Sequence, residues 1–292
     1  MNGCIIIIPC YNGERRLGRV LHECGLLDAD IVVIDDGSTD DSRRICMLHG
    51  VRVHSIDRNS GVGHALQAGF RIARENGYQT VVTLDADGAH DPKDIPGMIE
   101  WKMKNNVDMV IGNRWHGDAF SGIPSCKLSA NRFAAALMKI AAGITLPDVA
   151  CGLRVFDVSI TERFGDTTGF GFLYEMIFCV LQQGSIGSCP VNVRYDASDL
   201  WFTKKGELLD LIGICEKWCP DVAVLTKLRQ IGAMVKGLER FAVCFSHDSR
   251  VKEMYVVHPL VANDGFVFQE QHASFYDGFD HVLCFEHGSC AS

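Results

Sequence analysis

The chain has 292 residues, of which 47% are hydrophobic and 22% charged, and its formal net charge at pH 7 is -8. This length and composition fit a soluble globular protein with a sizeable core. The acidic balance and the lack of a long Lys/Arg block argue against a nucleic-acid partner, because such a surface needs a basic patch. A local pocket for one small anion remains compatible with this composition.

The first two thirds of the chain alternate short apolar runs with longer amphipathic runs, which predicts βα units around a mostly parallel sheet. The first run is apolar throughout, as expected of a strand buried on both faces. The predicted strands are 5–8, 31–34, 51–56, 80–84, 107–111 and 190–195. The predicted helices are one from about residue 14, one capped by Ser38 or Thr39 that ends at about residue 48, then 63–75, one after residue 92, 128–142, 173–182 and one from about residue 207.

Cysteine usage and hydropathy predict a compartment. Thirteen cysteines occur without regular spacing, which disfavours a secreted disulfide framework and favours a reducing cytosol. The start of the chain lacks the basic region of a signal peptide. No apolar stretch approaches the ~20 residues that a membrane-spanning helix needs. The sequence therefore predicts a cytoplasmic protein that can sit on a membrane surface without spanning it.

Polar residues follow the first four predicted strands, in segments 9–14, 35–38, 59–63 and 85–87. Ligands of open α/β sheets bind at the carboxyl ends of the strands, so we expect the four segments to converge on one crevice. Asp36 in the second segment either caps a turn or hydrogen-bonds the base or ribose of a nucleotide. The glycines of the third segment permit close approach of a ligand but lack the dinucleotide-binding spacing.

Asp85-Ala86-Asp87 is the most informative of these segments. Two carboxylates one residue apart at the end of a buried strand repel each other unless a positive charge lies between them. Mg²⁺ and Mn²⁺ prefer oxygen ligands and share them with substrate phosphates. The alternative is an ordinary acidic turn. Together with the other strand ends, the pattern favours a divalent metal bound by Asp85 and Asp87.

In this order, the segments resemble family 2 glycosyltransferases, in particular the branch that contains dolichol-phosphate mannosyltransferase-like and polyprenyl-phosphate sugar transferases. The resemblance covers roughly residues 4–205. The matching segments are IPCYNGE, VIDDGSTDDS, NSGVGHALQAGF, TLDADGAHDP, GNRW, the Lys-x-x-x-Asn-Arg stretch at 127–132, DVACGLRVF, GFGFLYEM and PVNVRY.

This resemblance implies a GT-A (Rossmann-like) nucleotide-sugar-binding fold with a mostly parallel central sheet and a small C-terminal extension. It implies inverting transfer of a hexose from GDP-mannose or a UDP-sugar to a polyprenyl or dolichyl phosphate, with Mg²⁺ or Mn²⁺. The implied metal ligands are Asp85 and Asp87, of which Asp85 also contacts the donor and Asp87 is also catalytic. The implied nucleotide-sugar contacts are Pro9, Tyr11, Glu14 and Asp36, and the implied cations facing the donor diphosphate or acceptor phosphate are Arg114, Lys127 and Arg132.

The proposed acceptor explains this set of side chains. A phosphate is already anionic at neutral pH, so a strong general base is less necessary than for a hydroxyl acceptor. The site must instead hold two anionic groups together, which requires cations. Arg114 and Lys127 suit that task, although any single surface cation can be merely solvated. Arg154 either joins them or braces the fold through a buried ion pair.

The sequence departs from the family pattern at Ala89, where a Gln or another polar residue is common. The metal then takes water or His90 instead, which leaves its affinity and identity open.

Glu175 stands where the family often has an acidic residue, but a solvated carboxylate on a helix face is an equal reading.

Beyond residue 205 the resemblance fades. We predict a glycosyltransferase domain at 1–205, a helical segment at 206–240 and an extension of unknown role at 241–292. An apolar stripe from Leu225 to Leu238, flanked by basic residues, either packs on the domain or lies in a membrane interface, and packing is favoured. His281, Cys284 and His287 lack a standard zinc spacing, which favours a structural extension. The remaining functional alternatives are a hydroxyl acceptor and a non-catalytic nucleotide-sugar-binding protein.

Overall fold

The structure is a computed structural model that describes residues 1, 3–116, 125–194 and 205–237, and four short strands between 260 and 284. The chain divides into two compact units. The first contains Met1–Ser121 and Leu146–Asp196, and the second contains Gly122–Thr145 and Ala197–Ser292.

A seven-stranded sheet in the order β3-β2-β1-β4-β6-β5-β7 forms the centre of the first unit. β3, β2, β1 and β4 are parallel neighbours, and β5 is parallel to β7. β6 runs antiparallel to both β4 and β5. The strands are β1 Cys4–Cys10, β2 Asp30–Asp35, β3 Arg52–Ser55, β4 Thr80–Thr83, β5 Met109–Asn113, β6 Arg154–Asp157 and β7 Ile186–Pro190.

Helices connect these strands and also form the second unit. In the first unit they are α1 Leu17–Cys24, α2 Ser42–Leu48, α3 Val62–Glu75, α4 Ile95–Asn105 and α6 Phe172–Leu181, with 3-10 turns at Pro92–Asp94 and Val158–Arg163. In the second unit they are α5 Ser125–Ala142, α7 Lys205–Trp218 and α8 Val222–Gly237. Two antiparallel pairs follow, β8 Leu260–Ala262 with β9 Gly265–Val267, and β10 Gln269–Gln271 with β11 Val282–Cys284.

The predicted mostly parallel α/β architecture is confirmed, with two differences in the later strands. The strand predicted at 190–195 is wrong for residues 191–194, because the ladder to β5 ends at Pro190 and Val193 makes only a single bridge, to His90, while residue 195 lies outside the described residues. β6 was not predicted, since its four residues begin and end with charged side chains and show no apolar run. Arg154 at the start of this strand is nevertheless fully buried.

β1 forms the middle of the core, as its uniform apolar run predicts. Ile6, Ile7 and Ile8 have no accessible surface. α3 packs directly over β1, and a Cβ placed on Gly69 of this helix would collide with the Ile7 side chain. Gly69 therefore sets the close distance between helix and sheet.

Gly69→Ala is expected to lower the free energy of unfolding by about 1–3 kcal/mol, because the added methyl group overpacks a rigid helix–sheet contact. Urea denaturation measures this change. Gly213→Ala on α7 is the matched control, since a Cβ there meets nothing within 4 Å. Equal stabilities of the two variants would contradict this account of α3 packing.

α8 uses its apolar stripe for packing within the second unit. Leu228, Ile231 and Val235 are buried, and Gly232 lies against Ile212 of α7. These residues of the stripe are therefore buried against α7, whereas packing of the stripe on the glycosyltransferase domain stays a prediction and Leu238 lies outside the described residues.

The remaining sequence-based interpretations of the C-terminal region concern membranes and zinc. Within the described part of the chain, every helix is too short or too polar to cross a membrane. His281 and His287 lie outside the described residues, and Cys284 is described only as part of the β11 backbone. The preference for a structural extension over a zinc site therefore rests on the sequence alone.

Candidate active site

The loops after β1, β2, β3 and β4 meet at one edge of the sheet, because these four strands are parallel neighbours. The Asp36 amide donates to the Cys10 carbonyl at 2.8 Å, joining the first two loops. Gly13 packs against Ala86, and Arg16 Nη1 donates to the Asp87 carbonyl at 3.4 Å. The predicted convergence of the four segments is confirmed.

The loop after β1 is interlocked with the loop after β2. Asn12 adopts a left-handed backbone conformation with φ of 51°. Its amide donates to Ser38 Oγ, and its Oδ1 accepts from the Thr39 amide, both at 2.9 Å. Glu14 Oε2 accepts from the Asp41 amide at 3.1 Å. This arrangement leaves Tyr11 half exposed at the sheet edge, where an aromatic ring is available to a ligand.

Asp36 is buried and braces the loop after β3. Its Oδ1 accepts from the Ser60 amide at 2.9 Å and its Oδ2 from the Gly61 amide at 2.8 Å. Asp35 stabilises the turn after β2, because it accepts a hydrogen bond from the Ser38 amide at 3.1 Å and pairs with Arg43 Nε at 2.9 Å. Asp36 therefore shapes the 59–61 loop, and its predicted contact with a nucleotide stays a prediction.

Asp36→Ala is expected to reduce the free energy of unfolding by about 2–4 kcal/mol even without a nucleotide, because two partly buried amides lose their acceptor. Chemical denaturation of the ligand-free protein measures this. The control is Asp57→Ala, which removes an exposed carboxylate from the same region. If the Asp36 variant were as stable as the control, the bracing role would be wrong.

Asp85 and Asp87 follow β4 and face the loop after β1. The Asp85 side chain is 40% exposed, and Asp87 is exposed with its Oδ1 accepting from the Ala89 amide at 2.9 Å. Burial, followed by repulsion from Asp87, raises the pKa of Asp85, although Arg114 and Arg154 oppose the increase. A bound cation would offset the repulsion between the two carboxylates. The two side chains therefore fit a divalent metal that substrate phosphates also ligate.

His90 lies directly behind Asp85. Its Nε2 is 3.7 Å from Asp85 Oδ2 and 3.8 Å from Cys151 Sγ, and the residue is 2% exposed. Burial, reinforced by the positive charge of Arg114, lowers the pKa of His90, so the ring is neutral at pH 7. Ala89 is buried and has no polar side chain. Across the described residues, no group of three or more His, Cys, Asp or Glu side chains is arranged to hold a metal.

Arg114 is held by an aspartate that the sequence interpretation did not single out. Its Nε and Nη2 donate to the two oxygens of Asp148 at 2.6 and 2.9 Å. Asp148 is fully buried and also accepts from the Ala150 amide at 3.2 Å. This ion pair orients the guanidinium near Asp85, while its predicted phosphate contact stays a prediction. The only signal in the sequence was the position of Asp148 at the start of DVACGLRVF.

Arg154 braces the loop that leads into β6. The side chain is fully buried and donates to the carbonyls of Cys151 at 2.9 Å, Leu173 at 2.5 Å and Val149 at 3.0 Å. The bracing interpretation is therefore supported, but it works through backbone carbonyls. Thr83 Oγ1 adds a bond to the Gly152 carbonyl at 2.7 Å, which ties the same loop to β4.

The remaining residues that the sequence analysis singled out differ in their location and exposure. Lys127 and Arg132 belong to α5 in the second unit, where Arg132 is exposed and the Lys127 side chain lies outside the described residues. Their contact with a phosphate stays a prediction. Glu175 is fully buried and accepts from the Thr167 amide at 3.2 Å, so the solvated helix-face reading is wrong. Pro9 is partly exposed within β1.

A mostly parallel sheet with acidic and other polar loops at the carboxyl ends of its strands is typical of nucleotide-binding α/β proteins. The sequence model of glycosyl transferase family 2 matches residues 5–165. The chain belongs to this family, which confirms the resemblance and the GT-A type of fold.

Curated relatives and solved structures agree with this family. The chain is 28% identical over 204 residues to polyprenol monophosphomannose synthase of Mycolicibacterium smegmatis, covering 64% of this chain and 76% of that protein. It is 30% identical over 214 residues to UDP-N-acetylglucosamine–dolichyl-phosphate N-acetylglucosaminyltransferase of Methanococcus voltae, covering 65% and 85%. Glucosyl-3-phosphoglycerate synthase of Mycobacterium tuberculosis, solved with Mn²⁺ and UDP, superposes with a TM-score of 0.57 over 75% of this chain and 81% of that one, at 19% identity.

Proposed function

We propose that this glycosyltransferase moves a hexose from a nucleotide-diphosphate sugar to a polyprenyl phosphate, with inversion at the anomeric carbon. The observation that carries the proposal is the position of Asp85 and Asp87 at the edge where four strand-end loops meet. The names of the relatives support a lipid phosphate acceptor, because both act on polyprenyl or dolichyl carriers. Such a carrier resides in a membrane, so the protein works at a membrane surface.

A bound Mg²⁺ or Mn²⁺ would neutralise the charge that develops on the departing nucleotide diphosphate. Asp85 and Asp87 would hold that ion. The solved neighbour containing Mn²⁺ and UDP supports this assignment as a similarity of fold.

The chain's other residues bind and orient the donor. Tyr11 offers an exposed ring to the base, and Glu14 and Asp36 keep the surrounding loops in place through backbone amides. Arg114 is oriented by Asp148 and contributes positive charge near the diphosphate. Lys127 and Arg132 are the proposed partners of the acceptor phosphate. Because that phosphate is already an anion, no side chain needs to remove a proton from it.

The decisive experiment incubates the purified full chain with Mn²⁺, undecaprenyl phosphate or dolichyl phosphate, and radiolabelled GDP-mannose or UDP-sugars in separate reactions. The expected product is a radiolabelled lipid that partitions into organic solvent and releases its sugar in mild acid. Transfer of label only to soluble hydroxyl acceptors would contradict the lipid acceptor. Binding of the donors without transfer or hydrolysis would contradict an enzymatic role.

A further inference from the structure

Gly152 lies in direct contact with the carboxyl group of Asp85. A Cβ placed on Gly152 would overlap the carboxyl carbon and both oxygens of Asp85, and these three are its nearest atoms. The φ angle of Gly152 lies outside the left-handed region that favours glycine, so an alanine there is not strained by its backbone. The position lacks a side chain because the Asp85 carboxyl group occupies that space.

The backbone around Gly152 is firmly held. Thr83 Oγ1 donates to the Gly152 carbonyl at 2.7 Å, and Arg154 Nε donates to the preceding Cys151 carbonyl at 2.9 Å. Thr83 and Arg154 also pair across β4 and β6. Asp85, in contrast, presents the mobile end of a partly exposed side chain. If a methyl group enters this contact, Asp85 therefore moves and the backbone stays.

The buried ring of His90 limits where Asp85 can go. Its Nε2 is 3.7 Å from Asp85 Oδ2, and Cys151 Sγ is 3.8 Å from the same nitrogen. Gly152 and His90 both lie close to the carboxyl group, so a methyl group on Gly152 displaces Asp85 from its present position. Such a displacement changes the position of Asp85 relative to Asp87.

We propose that Gly152 is a positioning residue for the metal: its missing Cβ allows Asp85 to keep the orientation in which it can share a divalent ion with Asp87. This inference rests on the proposed function, because it assumes that the two carboxylates bind the ion. Outer-shell groups that orient metal ligands typically change metal affinity 10–100-fold when they are altered.

The test measures Mn²⁺ binding to the full chain by electron paramagnetic resonance, with the metal alone as the probe. Gly152→Ala is expected to weaken Mn²⁺ binding by about 10–100-fold and to leave the melting temperature nearly unchanged, because only a side-chain end is displaced. In an Asp85→Ala background the same substitution is expected to have no further effect on binding. Gly97→Ala is the matched control, since a Cβ there meets nothing within 4 Å.

The outcomes separate this inference from the proposed function. Mn²⁺ binding by the wild type and by Gly152→Ala with equal affinity would overturn the positioning role alone. A wild type that binds no Mn²⁺, either alone or together with UDP or GDP, would overturn the metal site itself, and the positioning role with it. If Gly152→Ala fails to fold, the Asp85→Ala double variant decides: its recovery supports the contact with Asp85, whereas failure of both variants overturns it.

Discussion

Asp87→Asn is expected to lower the rate of sugar transfer by about 100-fold or more, because a metal stabilises transition-state charge by several kcal/mol. The substitution keeps the oxygen that accepts from the Ala89 amide and removes only the negative charge. It also removes the repulsion that, in addition to the larger effect of burial, raises the pKa of Asp85. Without metal, the variant should therefore be at least as stable as the wild type. With Mn²⁺ present, its activity should be much lower than that of the wild type.

Loss of activity without loss of stability distinguishes a functional carboxylate from an ordinary acidic turn. Transfer or donor hydrolysis with Mn²⁺ measures the activity, and thermal unfolding in a chelator measures the stability. Glu100→Gln, which neutralises an exposed carboxylate on α4, serves as the control for net charge. Retention of full activity by Asp87→Asn would remove the main support for a metal-assisted reaction.

Arg154→Met is expected to reduce the free energy of unfolding by about 4 kcal/mol, because three carbonyls lose charged donors inside the core. For a unit of this size the melting temperature should fall by about 10 °C. Burial lowers the pKa of Arg154 to about 10, so the side chain remains charged at neutral pH. Methionine replaces much of its volume but can make none of these bonds.

Two further variants complete the test of Arg154. Lysine keeps the charge but lacks the planar fork that reaches three separate carbonyls, so an intermediate loss of stability is expected. Arg71→Met, at an exposed arginine of α3, should change the stability by less than about 0.5 kcal/mol. Equal melting temperatures for the Arg154 and Arg71 methionine variants would show that the buried hydrogen bonds do not stabilise the loop before β6.

Much of the site was predictable because its parts are local in sequence. An apolar run such as Ile5–Ile8 predicts a strand that is buried on both faces. Parallel neighbouring strands place the loops that follow them at one edge of the sheet. Asp85 and Asp87 could be selected because two close carboxylates have an electrostatic cost that a turn does not require. The boundaries were less predictable: α2 begins at Ser42, after a loop held by bonds to Asn12 and Asp35.

By itself, the sequence determined the α/β alternation, the four polar strand ends and the carboxylate pair, because period, apolar runs and motif order are properties of neighbouring residues. Only the tertiary structure decided that β6 enters the sheet antiparallel, that Asp148 holds Arg114, and that Gly152 gives Asp85 its space. These contacts join residues tens of positions apart. Burial and charge pairing in the folded core stabilise these contacts, and local sequence patterns do not predict which distant residues will meet.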